Sequence, residues 1–509
     1  MELPLPLLWT SVLLPPILAI LSALNRDLLR YSVALSSLLF LLPAAVGLYY
    51  VGYAGERSVA DPFSINLQQY SLGSFYLIVD GLSLPVIVGI SIVTALVAIY
   101  SMRYMSQRIE ELEKEGTKVP GMAAYFLLYN AFSSSMLGMA LSSNLLLFFI
   151  FLEISLLTSF ALIAYYGYGD RMRISLLYFI WTHVAGALFL IGTLFYGIGA
   201  GSFDVLLGSS YNKAFLNVQA EGLLFLAPLF IVLGLLIKMA ITGVHMWLPY
   251  AHAEAPTPIS ALLSPNLIGI AGYAMARFGL TLFPSFMESI ANALLFLAVL
   301  TILYGAFVAL KQNDFKRFLA YSSISQMGYL LLGISTLTYF GIAGAMLHYL
   351  SHAIGKAVLF MIAGIFITEL HGLRDMNKMG GLARAYPITA ALALLGFMHL
   401  AGIPPSVGLW GELLILLGVV EAFSPLTPLS LLLVTLVLVL SFIMTAVYSF
   451  VAMRKIFFGP PKINAREELD LFKGSVLVMG ALGILLFIIA GLLVSPAQGA
   501  VELLLEALR

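Results

Sequence analysis

Cysteine is absent from all 509 residues, which removes disulfides, thiol catalysis, Cys-type zinc sites and iron–sulfur ligation together. The redox compartment stays open, because a chain without thiols suits either environment. Charge is scarce as well. Only 10% of residues are charged, whereas soluble domains carry about 25%, so a soluble globular protein is nearly excluded. Disorder is excluded too, since it needs low hydrophobicity and high charge. Neither sign is in excess: 25 basic residues face 25 acidic ones. That balance gives no support to a nucleic-acid partner, which favours a basic patch. Also missing are a G-x-x-x-x-G-K-S/T nucleotide loop and an HExxH metal motif.

What the chain has is apolar length, with 61% of residues hydrophobic. A helix crosses the hydrocarbon core with about 20 mostly apolar residues. Apolar runs separated by polar breaks predict fourteen spans, at 5–24, 31–51, 79–101, 121–140, 143–165, 174–199, 223–247, 259–280, 290–310, 318–335, 340–369, 386–419, 428–452 and 474–494. The fold class is therefore an all-α polytopic membrane protein. The first span is retained as a helix rather than a signal peptide, because Glu2 is the only early charge and no cleavage site is clear. The longest polar stretches, 102–120, 200–222 and 453–473, leave no room for a soluble domain, and the 15 residues after 494 are too few for a long lateral helix.

Orientation follows from Lys and Arg in short loops. Loops after odd-numbered spans hold 19 basic residues, Lys316 and Lys473 among them. The opposite side holds 4: Arg57, Lys213, Arg277 and Arg509. This asymmetry predicts a cell-membrane protein with both termini outside and the odd-end loops in the cytoplasm.

The remaining basic residues, Lys238 and Lys356, lie inside apolar spans, as do Glu153 and Glu412. A charge at the bilayer centre costs roughly 2.5–3.5 kcal/mol on insertion scales, so the four together imply on the order of 10 kcal/mol. Structural ion pairs account for one such residue as well as function does; two acids and two bases favour a proton or ion path. In AMLHYLSHAIGKAVLF, His348, His352 and Lys356 are spaced four and four and share one helix face. Imidazole exchanges protons near neutral pH. The plainer reading is a polar seam between helices. A metal held by the two histidines lacks a third ligand.

Two spans carry internal breaks. One runs His245-Met-Trp-Leu-Pro249-Tyr-Ala-His252-Ala-Glu254-Ala-Pro256 after Lys238; the other contains Gly402-Ile-Pro404-Pro405 before Glu412. Proline removes a backbone donor, and unwound backbone at membrane depth survives only against protein or a wet cavity. The breaks fall in the seventh and twelfth spans. An odd offset reverses orientation, which predicts two inverted five-helix repeats at 121–282 and 283–452, preceded by helices 1–3 in 1–120 and followed by a cytoplasmic loop and helix 14 in 453–509. Ordinary kinks are the alternative, but they leave unexplained why each break adjoins an ionisable residue.

The stretches KMAITGVHMWLPYAHAEAPTPISALLS (238–264), DGLSLPV (80–86), FIFLEISLLTSF (149–160), DFKRFLAYSSISQMGY (314–329), HYLSHAIGKAVLFMIAG (348–364) and LAGIPPSVGLWGELLILLG (400–418) resemble the antiporter-like subunits of respiratory complex I and of Mrp cation/proton antiporters. The cytoplasmic-side charge and the short tail look like the M-type subunit of complex I or the D-type subunit of Mrp. The resemblance implies a proton relay through Glu153, Lys238, His348, His352, Lys356 and Glu412. It implies supporting roles for His245, Pro249, His252, Pro404 and Pro405 at the breaks, no cofactor or resident metal in this chain, and other membrane subunits as partners. Protons, and Na⁺ as a second candidate, would be the cargo. The HMWLP and SPNLIGIAGY variants resemble hydrogenase-linked relatives, which implies an iron–sulfur peripheral arm. One departure stands out: many relatives place a lysine where this chain has Gly269. A stand-alone transporter of a small solute is the alternative function, and an intramembrane metalloenzyme a third.

Overall fold

The computed structural model describes residues 1–205, 225–423, 428–463 and 465–505. Residues 206–224, which hold most of the expected 200–222 loop with Lys213 and the start of the expected seventh span, and the terminal Arg509 lie outside the described residues. The chain is a helical membrane protein. In hydrocarbon every backbone N–H and C=O must be bonded within the protein, so apolar runs become helices. These are α1 (Leu7–Leu24), α2 (Leu29–Val46, continued by a π-helical turn Gly47–Tyr53), α3 (Leu84–Lys114), α4 (Met122–Leu141), α5 (Leu145–Tyr166) and α6 (Arg171–Ala200). There follow α7 (Leu226–Lys238), α8 (Trp247–Glu254), α9 (Thr257–Leu282), α10 (Pro284–Leu310), α11 (Phe315–Ser335) and α12 (Tyr339–Glu369). The last are α13 (Pro387–Leu400), α14 (Gly408–Phe423), α15 (Pro428–Phe457), α16 (Leu471–Ile488) and α17 (Gly491–Leu505).

Ten helices among the described residues are long and apolar enough to cross a membrane. The other four expected spans fall short for two physical reasons. The seventh and twelfth are interrupted: α7 has 13 residues and α13 has 14, about 20 Å each at 1.5 Å per residue, against a core of about 30 Å. The fourth and tenth, α4 and α11, are polar because they are interior. α4 buries Asn130, Ser133, Ser134 and Ser135, and α11 buries Lys316, Ser322, Ser323, Ser325 and Gln326. The centre is formed by α9 and α12, whose apolar windows are wholly buried, whereas α1, α6 and α10 leave most of theirs uncovered. Around α12 pack α3, α11, α13, α14, α16 and α17.

Three sequence expectations need correction. α3 continues to Lys114, so much of the expected 102–120 loop is helix. Charge pairs one turn apart support the extension, Lys114–Glu110 at 2.7 Å and Arg108–Glu111 at 3.2 Å. Residues 474–494, expected as one span, belong to two helices, α16 and α17. Finally, Lys316, Lys473 and Arg277 are buried helix-end residues rather than loop charges. Each found oxygen partners: Lys316 Nζ donates to Ala255 O at 2.5 Å, Lys473 pairs with Glu369 at 2.9 Å, and Arg277 pairs with Asp80 at 2.5 Å.

Between α2 and α3 the chain forms two short antiparallel ladders, β1 (Ser58–Ala60) with β4 (Ile78–Asp80) and β2 (Ile65–Asn66) with β3 (Ser74–Phe75). Two aspartates bind this segment to the helices. Asp61 accepts from Leu8 N and Trp9 N at 2.8 and 3.1 Å, placing an anion at the N-terminus of α1. Asp204 accepts from Ser74 N and from Asn144 Nδ2, both within 2.9 Å. Asn144 in turn caps α5, accepting from Leu146 N and Leu147 N at 2.9 and 3.2 Å. Asn144→Ala is expected to lower stability by about 1–2 kcal/mol through the lost cap, read as an earlier thermal unfolding transition of the purified chain in detergent. An unchanged transition would remove the cap from the account.

Candidate proton-relay site

Two interrupted helices set the geometry. α7 ends at Lys238, and residues 239–246 leave the helix, with Ala240 at φ 54° and Gly243 at φ 102°. The Trp247 indole N–H donates to Ile237 O at 3.2 Å, satisfying one carbonyl freed at the helix end. Pro249 sits in the first turn of α8, where the missing N–H has no helical partner to lose. The unwinding therefore lies upstream of Pro249. Pro404 and Pro405 do lie in the second break, between α13 and α14. Gly402 there takes φ 60° and packs directly on the Glu412 carboxylate; a Cβ would have no room.

Lys238 is buried, and its Nζ has no hydrogen-bond partner. It borders a small cavity lined otherwise by apolar side chains, including Phe148, Leu152, Phe189 and Ile270. Glu153 lies within electrostatic reach of this ammonium. It is not bonded to it: Glu153 Oε2 pairs with His183 Nδ1 at 3.4 Å, and Oε1 is buried without a partner. The first break also holds His245, whose Nε2 lies 3.0 Å from the Tyr304 hydroxyl. His252 on α8 is fully buried and stacks on Phe360 at 5.1 Å.

On α12, His348, His352 and Lys356 are all fully buried. The Lys356 ammonium donates to Leu319 O at 2.8 Å and to the Ser322 hydroxyl. His348 leans on the Tyr329 ring at 5.2 Å. Both ring nitrogens of His252, His348 and His352 lack hydrogen-bond partners among the described residues. His252 and Lys356 act on His352 electrostatically, so α8 and α12 bring their polar groups together. Beyond them, Glu412 on α14 has a buried, unpartnered Oε1 and lies within reach of Tyr329. Among the described residues no three His, Asp or Glu side chains gather as a metal-ligand set.

This arrangement lies within a part of the chain that matches a known family. Residues 142–443 match the family described as NADH:quinone oxidoreductase/Mrp antiporter, TM, and residues 65–111 match NADH-ubiquinone oxidoreductase (complex I), chain 5 N-terminus. NADH-quinone oxidoreductase subunit M of Rickettsia conorii is 30% identical over 437 residues, 85% of this chain and 83% of that protein. The chain belongs to this family. NAD(P)H-quinone oxidoreductase chain 4 2 of Thermosynechococcus vestitus is 35% identical over 391 residues, covering 75% and 68% of the two chains. Among solved structures, a chain of respiratory complex I from Thermus thermophilus with bound NADH superposes with a TM-score of 0.83 at 26% identity, covering 99% of this chain and all of that one. A chain of the Mrp complex from Dietzia sp. shares the fold, with a TM-score of 0.82 at 20% identity over 98% and 97%.

Within this NADH:quinone oxidoreductase/Mrp fold, the structure accounts for Gly269. The Tyr349 ring fills the space: a Cβ on residue 269 would lie 2.5 Å from Tyr349 Cε2. The Tyr349 hydroxyl is fixed by donating to Asn266 O at 3.1 Å. Gly269→Lys is therefore expected to overpack the core at a cost of about 1–3 kcal/mol and to lower the yield of folded chain, while Gly269→Lys with Tyr349→Ala recovers it. Size-exclusion profiles of the two variants check this; equal yields would contradict it.

Several site residues escaped sequence reading. Lys316 looks like a loop charge beside Arg317, yet it donates to Ala253 O and Ala255 O at the end of α8, where a cation suits the helix C-terminus. The signal was its face: Lys316 shares a helical stripe with Leu319, Ala320 and Ser323, all buried, and Arg317 does not. His183 had no sequence signal, because its partner Glu153 lies on another helix. His399, near the end of α13, was overshadowed by the prolines that follow it.

Proposed function

We propose that this subunit translocates protons through its own buried polar row, as a membrane component of a larger redox-driven or Mrp-type assembly. A line of ionisable side chains, each with a buried nitrogen or oxygen that makes no hydrogen bond, supports this reading above all: Glu153, Lys238, His252, His352, His348 and Glu412, running from α5 through both interrupted helices. Lys356 and the supporting His245 complete it. In this reading an approaching charge at Glu153 holds the proton on Lys238, and loss of that charge releases it. The histidines carry protons across the middle, with water between them, and Glu412 takes them at the second break. Na⁺ is a second cargo on this reading. The inverted five-helix units at 121–282 and 283–452 would place each break beside its own acid–base group.

Each charge moved against 100 mV requires about 2.3 kcal/mol. That energy comes from a partner or from an opposing ion gradient. The outward face of α5 and α6 supports a membrane partner: His183 is 55% exposed and Glu153 22% exposed, a polar pair otherwise turned toward lipid. A hydrogenase-type iron–sulfur arm is the redox partner we favour, with both termini outside. Mild-detergent purification of the native assembly, followed by mass spectrometry of its subunits, tests the reading. A redox module in the purified particle makes this a redox-driven pump subunit, and small membrane subunits alone make it an Mrp-type antiporter. A lone chain with solute uptake in liposomes overturns it.

A further inference from the structure

His399 is the next-to-last residue of α13 and is 2% exposed. It stands at the edge of the second break, yet the row described above does not include it. Its surroundings determine its protonation. The Ser351 hydroxyl contacts His399 twice, at its carbonyl oxygen (2.7 Å) and at ring Nδ1 (3.2 Å). A hydroxyl has one hydrogen to give. A backbone carbonyl only accepts, so the Ser351 hydrogen goes to the His399 carbonyl, the shorter of the two contacts. The contact at Nδ1 must then run the other way, with Nδ1–H donating to Ser351 Oγ. In the neutral ring this leaves Nε2 as the lone-pair nitrogen.

No side chain stands in front of that nitrogen on α16. Nε2 faces Gly483 on α16, and a Cβ there would lie 2.5 Å from Nε2 and 3.1 Å from Cε1. Gly355 gives the ring its seat against α12, since a Cβ there would lie 2.8 Å from His399 Cβ. The ring is therefore locked in orientation and tautomer, with its basic atom directed at a position in α16, Gly483, that carries no side chain. The site is also connected. Ser351 lies on α12 between His348 and His352, and Gly408, the first residue of α14, packs against both the Ser351 hydroxyl and the His399 carbonyl. Glu412 follows one turn later on the same helix.

We propose that His399 is an additional proton-carrying residue of this chain. It takes a proton from water at Nε2, becomes imidazolium with Nδ1–H still bonded to Ser351, and returns the proton to water from Nε2. This rests on the proton-relay reading of the same chain. It adds a second proton-holding group at the second break, beside Glu412, opening toward α13 and α16.

The test compares three variants in the native assembly, in inverted membrane vesicles, with proton movement read by a ΔpH-sensitive dye after energising with the electron donor or Na⁺. Assembly is checked on native gels. Lys238→Ala reports on the relay as a whole. His399→Leu removes both the hydrogen bonding and the titrating nitrogen. His399→Gln keeps a hydrogen-bonding side chain of similar reach but cannot hold a proton. We expect both His399 variants to lose coupling by about tenfold or more at unchanged assembly. Restoration by Gln would make His399 a packing residue and overturn the proposal, and so would full coupling in either variant. Full coupling in Lys238→Ala would instead bring down the relay reading. Ring ¹⁵N labelling of the seven histidines gives a reading independent of turnover: the signal that Ser351→Ala perturbs must belong to an Nδ1–H ring, and an Nε2–H ring would contradict the assignment.

Discussion

Lys238→Ala is expected to abolish proton-coupled turnover while the assembly still forms. Two effects separate here. Removing the ammonium relieves an insertion cost of roughly 2.5–3.5 kcal/mol, and Nζ gives up no hydrogen bond within the protein. Folding therefore has little to lose beyond the packing of the side-chain stem. Function loses the one cation among the described residues that lines this cavity, within electrostatic reach of Glu153. Without it a proton arriving at that end has no ammonium to hold it between Glu153 and the buried histidines His252 and His352. The comparison is of ΔpH formation in vesicles against the amount of assembled subunit. Normal coupling in Lys238→Ala would remove this residue from the relay.

The second large effect is structural. Asp80→Leu is expected to cost about 3–5 kcal/mol, because it strands a buried guanidinium. Arg277 is 4% exposed and donates to Asp80 at 2.5 Å, while its Nε donates to the Tyr273 hydroxyl at 3.1 Å. Asp80 also accepts from Ser83 N at 2.9 Å, just before α3 begins. The pair thus locks the end of α9 to the start of α3. Replacing both partners leaves no orphaned charge, so Asp80→Leu with Arg277→Met should recover most of the stability. The yield of monodisperse chain after heating in detergent reads both. A double variant as unstable as the single one would mean that the pair is not a buried lock.

The span pattern was legible because hydrocarbon forces apolar runs into helices, and the breaks were legible because proline and glycine sit beside Lys238 and Glu412. Span ends were less so. Sequence counting gives a charge near a polar break to the loop, but Lys316 and Arg277 turn inward where α8 carbonyls and Asp80 await them. Those partners lie 61 and 197 residues away, beyond the reach of any local pattern. The α12 row was legible from four-residue spacing alone. His399 was not, because what makes it matter is the tertiary meeting of Ser351, Gly408 and Gly483 around its ring. Gly269 reads in sequence as a missing lysine, and only the fold shows Tyr349 occupying its place.

Proton flux itself tests the central claim most directly. The purified native assembly is placed in liposomes with a trapped pH dye, and K⁺ with valinomycin cancels the membrane potential. The account predicts a sustained internal pH change when the wild-type assembly is driven, and none when Lys238→Ala and Lys356→Ala are combined in an equal amount of assembled protein. Undiminished flux with both lysines gone would contradict it.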